Sequence, residues 1–319
     1  MSVSLPYIVS SRKSSKLLKR LIDIDAPILF EGIHTTYYLS HPSLKNRYKA
    51  IRVHNMEYDY YKQLSQKEQE FYKKIYFKSE TSRLKKYDLK LQDARAFFQI
   101  SSEDTEYYKN LYPQATHEFI PAFHPNDELT IQTGKGTYGL YHGNLSHPEN
   151  REAVLYLLEE VFPYIDMPMI VAGKEPSKEI IEGCGKLRDC KLIANPSSFN
   201  MEDLVQNAQI HILPTFQQSG VKLKLLHSLF AGRHVLVNNN MLHGTQLQDV
   251  CHIANSSEEF INKINELLHV PFLQKDIDNR REKLMAYNNV NNAAKLIQHF
   301  SLHQESAPAN TQHLPLGSG

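Results

Sequence analysis

The chain has 319 residues, 41% of them hydrophobic and 22% charged, with a formal net charge of +1. That balance excludes a long-range electrostatic pull towards nucleic acid or an anionic membrane, and the length predicts two domains, each able to bury a core. Cys184, Cys190 and Cys251 lack metal-ligand spacing and point to a reducing compartment; with no membrane-spanning run and no apolar leader, the expected location is cytoplasmic.

The first helical pattern is "SSRKSSKLLKRLID". Four strands follow it: "APILFEG", "YKAIRVHN", "ARAFFQIS" and "HEFIPAF". Each is a compact apolar run bounded by polar or turn residues. The longest helical stretch between them runs from about Glu68 to Leu91. "SSEDTEYYKNLYP" reads as a helix with a serine cap and an acidic first turn, closed before Pro113. The polar segment "HPNDELTIQTGKG", His124 to Gly136, then breaks the pattern. Six further strands come next: "TYGLYHG", "MPMIVAGK", "CKLIANPS", "IHILPTF", "HVLVNNN" and "CHIANS". A helical pattern follows each of the first four and the last.

Strand–helix alternation predicts an α/β fold of two Rossmann-like lobes with parallel sheets. The expected domains are residues 1–124, a linker at 125–136, residues 137–303, and a polar, disordered tail at 304–319. The first lobe shows four strands where about six are usual, so it reads as incomplete. Ligands of such sheets bind outside the carboxyl ends of the strands, here in a cleft between the lobes.

Some motifs mislead. "GKGTYG", Gly134 to Gly139, matches a dinucleotide fingerprint but enters a strand instead of leaving one, so linker glycines are the better reading. "DID" occurs at Asp23–Asp25 and Asp276–Asp278, where a helix end and a charged helix start explain it without a metal. Sixteen histidines fall in no metal-binding box. No metal and no cofactor are expected.

The stretch "QQSGVKLKLLHSLFAGRHVLVN", Gln217 to Asn238, is the most informative. A strand, the small loop "QQSG" and a helix closed by Gly232 make an anion site, where free N–H groups and the helix dipole face the ligand. Lys222 and Lys224 stand in the first turn, where the dipole alone disfavours lysine. Charge placed against propensity marks function; the rival reading is a solvated helix face. Two more strand–loop–helix turns follow the same plan, one leaving Gly143 through Pro148, Glu149 and Asn150, the other holding Gly173 and Lys174. In the first lobe, His54 and Asn55 end a strand. His54 there fits a general base, a hydrogen-bond donor to a ligand, or a satisfied core histidine.

These residues resemble a known family. "SGVKLKLLHSLFAGRHVLVN" is similar to the donor-diphosphate loop and helix of GT-B glycosyltransferases of the retaining family-four type, which make bacterial surface polysaccharides. "YHGNLSHPENREAVLYLLEEVFP" resembles the opening of that family's donor lobe, and "RVHNMEYDYY" its first-lobe histidine segment. The resemblance spans about residues 5–300. It implies a nucleoside diphosphate sugar as donor in the second lobe and a glycan or lipid-linked acceptor in the first. Lys222, Lys224 and the N–H groups of Ser219, Gly220 and Val221 would neutralise the leaving diphosphate. Gly143, Asn144, Gly173 and Lys174 would approach the diphosphate or sugar, Asn195 the base, and His54 the transferred sugar. The family admits membrane association, but no basic amphipathic helix is read here to support it.

Two departures stand out. The family's paired glutamates should fall at His227 and near Ser219, and neither residue is acidic. His227, Gln217 or Gln218 would then grip the hydroxyls, and retention of configuration follows only loosely. The first strands of the acceptor lobe have no counterpart, so a relic that binds a nucleotide-sugar or a partner without turnover is the alternative reading.

Overall fold

The computed structural model describes residues 5–217 and 222–304. Within them the chain divides into two compact units. Unit 1 takes the residues up to 99, residues 105–119 and those from 290 onward; unit 2 takes 100–104 and 120–289.

Unit 1 opens with two helices, α1 (Tyr7–Ser10) and α2 (Ser15–Asp23). Ser14 starts α2 by accepting the Leu17 N–H at 3.3 Å. Strands β1 (Ile28–Glu31), β2 (Lys49–Val53), β3 (Ala96–Gln99) and β4 (Thr116–Phe119) lie side by side in chain order, every pair parallel. Helices α3 (Glu57–Lys67) and α4 (Phe71–Tyr87) link β2 to β3, and α5 (Ser102–Leu111) leads into β4. All four predicted strands are present. β2 and β3 are buried along their whole length, as strands covered on both faces must be. A core of Ile51, Phe97, Tyr108, Leu44 and Leu91 packs around them.

One expectation for unit 1 fails. Helix α2 is a basic amphipathic helix: Leu17, Leu18, Leu21 and Ile22 share one arc of about 140°, and Lys16, Lys19 and Arg20 share the rest. None of its residues is buried.

Unit 2 holds β5 (Gly139–Asn144), β6 (Met169–Lys174), β7 (Cys190–Ala194), β8 (Ile210–Leu213), β9 (His234–Val237) and β10 (His252–Ile253). Their order is β7-β6-β5-β8-β9-β10, all parallel. Helices α6 (Pro148–Glu160), α7 (Lys178–Lys186), α8 (Ser198–Asn207) and α9 (Leu223–Ala231) follow β5 to β8 in turn. A short α10 (Asn239–Leu242) follows β9 and α11 (Ser257–Leu267) follows β10. Then come α12 (Gln274–Leu284) and α13 (Asn289–Gln304). The first three strands run outward in one direction and the next three in the other, so the order reverses between β5 and β8. Such a switch point opens a crevice at the carboxyl ends of the strands. β5 pairs with β8 only at Gly139–Ile210 and Leu140–His211, and then runs on to Asn144 without β8 beside it.

The division differs from the expected one in two places. Residues 125–136, read as a linker, are stitched into unit 2: Gly134 and Phe272 exchange backbone hydrogen bonds at 2.9 and 2.8 Å, and the Gly136 N–H donates to Gln209 Oε1 at 2.7 Å. Residues 290–303, read as part of the second lobe, and residue 304, read as the start of the tail, belong to unit 1. There His299 meets the Phe98 ring edge-on at 5.0 Å, and Lys295 lies 3.5 Å from Glu118. Both contacts join residues far apart in sequence, so local composition carries no trace of them. Residues 305–319 of the predicted tail lie outside the described residues. The second "DID" is the helix start expected: Asp276 accepts the Leu273 N–H at 2.9 Å and caps α12. Among the described residues no helix is long and apolar enough to cross a membrane.

Candidate functional site

The switch point in unit 2 is flanked by two loops, β5–α6 and β8–α9. Both belong to the strand–loop–helix turns singled out in the sequence. Helix α9 starts at Leu223, two residues later than its apolar pattern suggests, so Lys222 is its N-cap and Lys224 lies in its first turn. Leu225, Leu226, Leu229 and Phe230 bury the opposite face and fix the helix on the sheet. Neither lysine lies on a solvated face. Lys224 reaches across the switch point, its Nζ donating to Tyr141 Oη at 3.0 Å and to Asn150 Oδ1. It also stands 4.8 Å from the centre of the Tyr141 ring. Lys222 Nζ donates to the Gln217 carbonyl at 3.0 Å.

Burial lowers the pKa of both lysines to about 8, with the Glu149 carboxylate pulling the other way. Two largely desolvated cations at a helix N-terminus make a site that favours an anion. Asn150 organises the rest. Its Oδ1 also accepts from the Tyr141 hydroxyl at 3.1 Å, and its Nδ2 donates to the Asn144 carbonyl at 2.8 Å. Asn144 Oδ1 in turn accepts from the Ser146 N–H at 3.1 Å and shapes the turn into α6. Tyr141 is a site residue that the sequence does not single out, and the contacts of Glu149 and Asn150 with the lysines are not legible in it. "YHGN" and "PEN" stand in the sequence, but only the folded chain brings them to Lys224.

Beneath the lysines runs a buried polar chain. His211 Nε2 faces the Val205 carbonyl at 3.0 Å and must donate there, so its Nδ1 is an acceptor. Ser228 Oγ donates to that Nδ1 at 3.2 Å and accepts from His142 Nε2 at 2.8 Å. Burial holds His142 well below the ordinary histidine pKa and brings His211 to about 3, so both are neutral. The chain ties β5, β8 and α9 together at the switch point. It also corrects the reason for Gly232. That residue closes α9 in an extended conformation (φ −99°), not the left-handed one a C-cap glycine usually takes. Glycine is needed because a Cβ there would lie 1.9 Å from His211 Nε2.

The other candidates are distributed as follows. Gly143 and Gly173 are register partners at the ends of β5 and β6. A Cβ on Gly173 would lie 1.9 Å from the Gly143 carbonyl oxygen, so the two strands approach too closely for any side chain. Gly173→Ala is therefore expected to destabilise the fold by roughly 3 kcal/mol, since the obstacle is backbone. A urea midpoint equal to that of the parent would remove this reading. Lys174 ends β6, exposed. Asn195 takes a left-handed φ of 51° and its Oδ1 accepts the N–H of Glu175, itself at φ 49°. Two strained residues clasped at the ends of β6 and β7 mark a rim built for contact. His227 Nε2 lies 2.9 Å from Glu202 Oε2 of α8. A carboxylate thus does stand beside position 227, supplied by another helix. Gln218, Ser219, Gly220 and Val221 lie outside the described residues. His54 belongs to unit 1, at the carboxyl end of β2, with its Nε2 2.7 Å from Glu31 Oε2. Among the described residues no group of three or more His, Cys, Asp or Glu is placed to hold a metal ion.

No family model matches the chain. A curated relative, described as an uncharacterized 44.6 kDa protein in cps region from Klebsiella pneumoniae, is 26% identical over 301 residues, covering 89% of this chain and 74% of the relative. Among solved structures, sucrose-phosphate synthase from Thermosynechococcus elongatus superposes with a TM-score of 0.66 at 14% identity, over 93% of this chain and 78% of that one. A UDP-forming α,α-trehalose-phosphate synthase from Burkholderia vietnamiensis gives 0.64 at 6% identity, over 92% and 79%. The fold is that of the GT-B glycosyltransferases.

Proposed function

We propose that the chain is a glycosyltransferase moving a sugar from a nucleoside diphosphate sugar to a glycan or lipid-linked acceptor in surface polysaccharide synthesis. The observation that carries this is the pair of desolvated lysines at the N-terminus of α9, beside the switch point of a GT-B sheet. A diphosphate leaving group gains charge as the glycosidic bond to it breaks. Cations already stripped of water stabilise that charge without solvent reorganisation. Asn144 and Asn150 stand on the adjoining rim, and Asn195 on the next, where hydroxyl and base groups of a donor would meet amides. His227 with Glu202 offers a donor–acceptor pair for hydroxyls in place of the family's glutamate. His54, paired with Glu31, would hydrogen-bond the transferred sugar. The relative from a cps region supports the place in polysaccharide synthesis, and the trehalose- and sucrose-phosphate synthases support sugar transfer. The resemblance to retaining family four is the ground for expecting net retention.

The test is calorimetric titration with UDP, GDP, ADP and dTDP. Binding of one of them, followed by consumption of its sugar derivative in the presence of acceptor, is the expected result. Binding without turnover favours the non-catalytic relic. Heat from none of the four removes the donor site.

A further inference from the structure

We propose that Asn238 is a positioning residue of the donor site, which sets the Lys222 ammonium through Thr215 and Gln217. The inference rests on the donor-site reading above and adds to it residues that touch no substrate. It starts from the point where two strands stop pairing. β8 and β9 run in register as far as Leu213 and Val237. The residue after Leu213 is Pro214, which has no N–H and cannot carry the ladder further. The residue after Val237 is Asn238, and its side chain takes over where the strand ends. Its Oδ1 accepts the Thr215 N–H at 3.1 Å, and its Nδ2 donates to the Thr215 carbonyl at 2.7 Å. A side-chain amide thus stands in for a strand partner.

An amide suits all the partners it meets. Asn238 Oδ1 also accepts the Met241 N–H at 3.2 Å and so caps α10. Two N–H groups and one carbonyl face this side chain, which fixes the amide's orientation and calls for a donor and an acceptor together. Aspartate would set an oxygen against the Thr215 carbonyl. Asn240 Nδ2 is a second, longer donor to that carbonyl, at 3.3 Å. From Thr215, itself buried, the link runs forward. Its Oγ1 donates to the Gln217 carbonyl at 3.5 Å and accepts the Gln217 N–H at 3.4 Å. The same carbonyl accepts from Lys222 Nζ at 3.0 Å. One end of the link is anchored beside β9, and the other is a cation of the diphosphate site.

The two lysines are held in different ways. Lys224 lies within α9 and reaches Tyr141 and Asn150. Lys222 is the N-cap, with φ −93° and ψ 57°, so the regular helix does not set its direction. The contact with Gln217 does. Burial brings the Lys222 pKa from 10.5 to about 8, and the charged groups around it are Glu149 of α6 and Lys224 of α9. Loosening the link lets the ammonium return to water, and its pKa then moves back up. The titration of Lys222 therefore reports on the link with no ligand present, while Lys224 serves as the internal reference.

The experiment titrates both lysines in the full chain by acetic anhydride labelling across pH, read by mass spectrometry. The parent is compared with Asn238→Asp, Thr215→Val and Thr215→Ser. Asn238→Asp breaks the bond to the Thr215 carbonyl and keeps the cap on α10. Thr215→Val removes the hydroxyl, and Thr215→Ser retains it. Lys222 is expected to titrate about one pH unit higher in the Asp and Val variants and as in the parent in the Ser variant, with Lys224 unmoved. Calorimetry with the nucleoside diphosphate that the parent binds should show about tenfold weaker binding in the same two variants. Adding Asn238→Asp to Lys222→Ala should cost less than about twofold more, because the two residues act as one. Lys222 unmoved in both variants, Lys224 moved as far as Lys222, or fully additive losses in the Lys222→Ala chain overturns the proposal, since a merely structural Asn238 gives these results. Where a urea melt shows Asn238→Asp unfolded, Thr215→Val decides. A parent that binds no nucleoside diphosphate overturns the donor-site reading and with it the role of the link; the Lys222 titration then tells that failure from a failure of the link itself.

Discussion

A Lys224→Met chain is expected to bind nucleoside diphosphate roughly ten- to hundredfold more weakly than the parent, yet to unfold at a higher urea concentration. The two effects have one cause. In the folded chain, burial brings the Lys224 pKa from 10.5 to about 8. That shift amounts to roughly 3 kcal/mol of destabilisation at neutral pH, which a methionine does not incur. Little is lost on removing the ammonium, because the Tyr141 hydroxyl still satisfies Asn150 Oδ1 and Glu149 is exposed to water. When a diphosphate arrives, the same ammonium supplies a charge-assisted hydrogen bond, about 1.5–3 kcal/mol. Lys222→Ala, at the N-cap, is expected to weaken binding by a similar amount. A pH series separates this from a general surface effect. Between pH 8 and 10.5 the unfolded chain keeps protons that the folded chain has released, so stability rises with pH. Binding falls over the same window as the lysines lose their charge. Calorimetry and urea melts on the same samples should show these opposite slopes. Parallel slopes, or unchanged affinity in the variant, would return the lysines to a structural role.

Acid should loosen the same site from below. His211 titrates at about 3 in the folded chain and near 6.5 when unfolded, and His142 is displaced in the same direction. Below pH 6.5 the unfolded chain takes up protons that the folded chain refuses, so stability falls as pH falls. His211 alone accounts for about 2 kcal/mol of loss by pH 5, a sizeable share of a typical domain's total. A protonated His211 could no longer accept from Ser228, and the link between β8 and α9 would break. His211→Gln keeps a donor for Val205 and an acceptor for Ser228 but does not titrate. Urea midpoints at pH 7 and pH 5 should therefore differ less for this variant than for the parent. An equal difference in both chains would assign the acid sensitivity to other groups.

The contrast between Lys224 and its partners shows what the sequence could reveal. Ten strands were legible because each is a short apolar run between turn residues, and their alternation with helices implies parallel pairing. Lys222 and Lys224 were legible because they oppose the helix dipole. Tyr141 and Asn150 were not, since they reach Lys224 across a switch point, 83 and 74 residues away in the chain. Gly232 was placed correctly at a helix end for the wrong reason, because the ring of His211 comes from a different strand. The segment 125–136 looked like a linker because it is polar. Its backbone is in fact satisfied by Gln209 and Phe272, which composition cannot show. The basic, amphipathic character of helix α2 is legible in its periodicity, while the near-zero net charge of the whole chain masks its local excess.

Because residues 290–304 complete unit 1, the chain's ribosomal order and its spatial order disagree. Apart from residues 100–104, which are made earlier, unit 2 is one run from residue 120 to residue 289 and can close as soon as that run is made. Unit 1 begins first but finishes last. Until α13 emerges, the rings of Tyr48 and Phe98 lack His299 and Phe300 as partners. During synthesis the earlier-born unit is therefore the one held open, and a premature stop near residue 289 damages the half of the protein farthest from it in the gene.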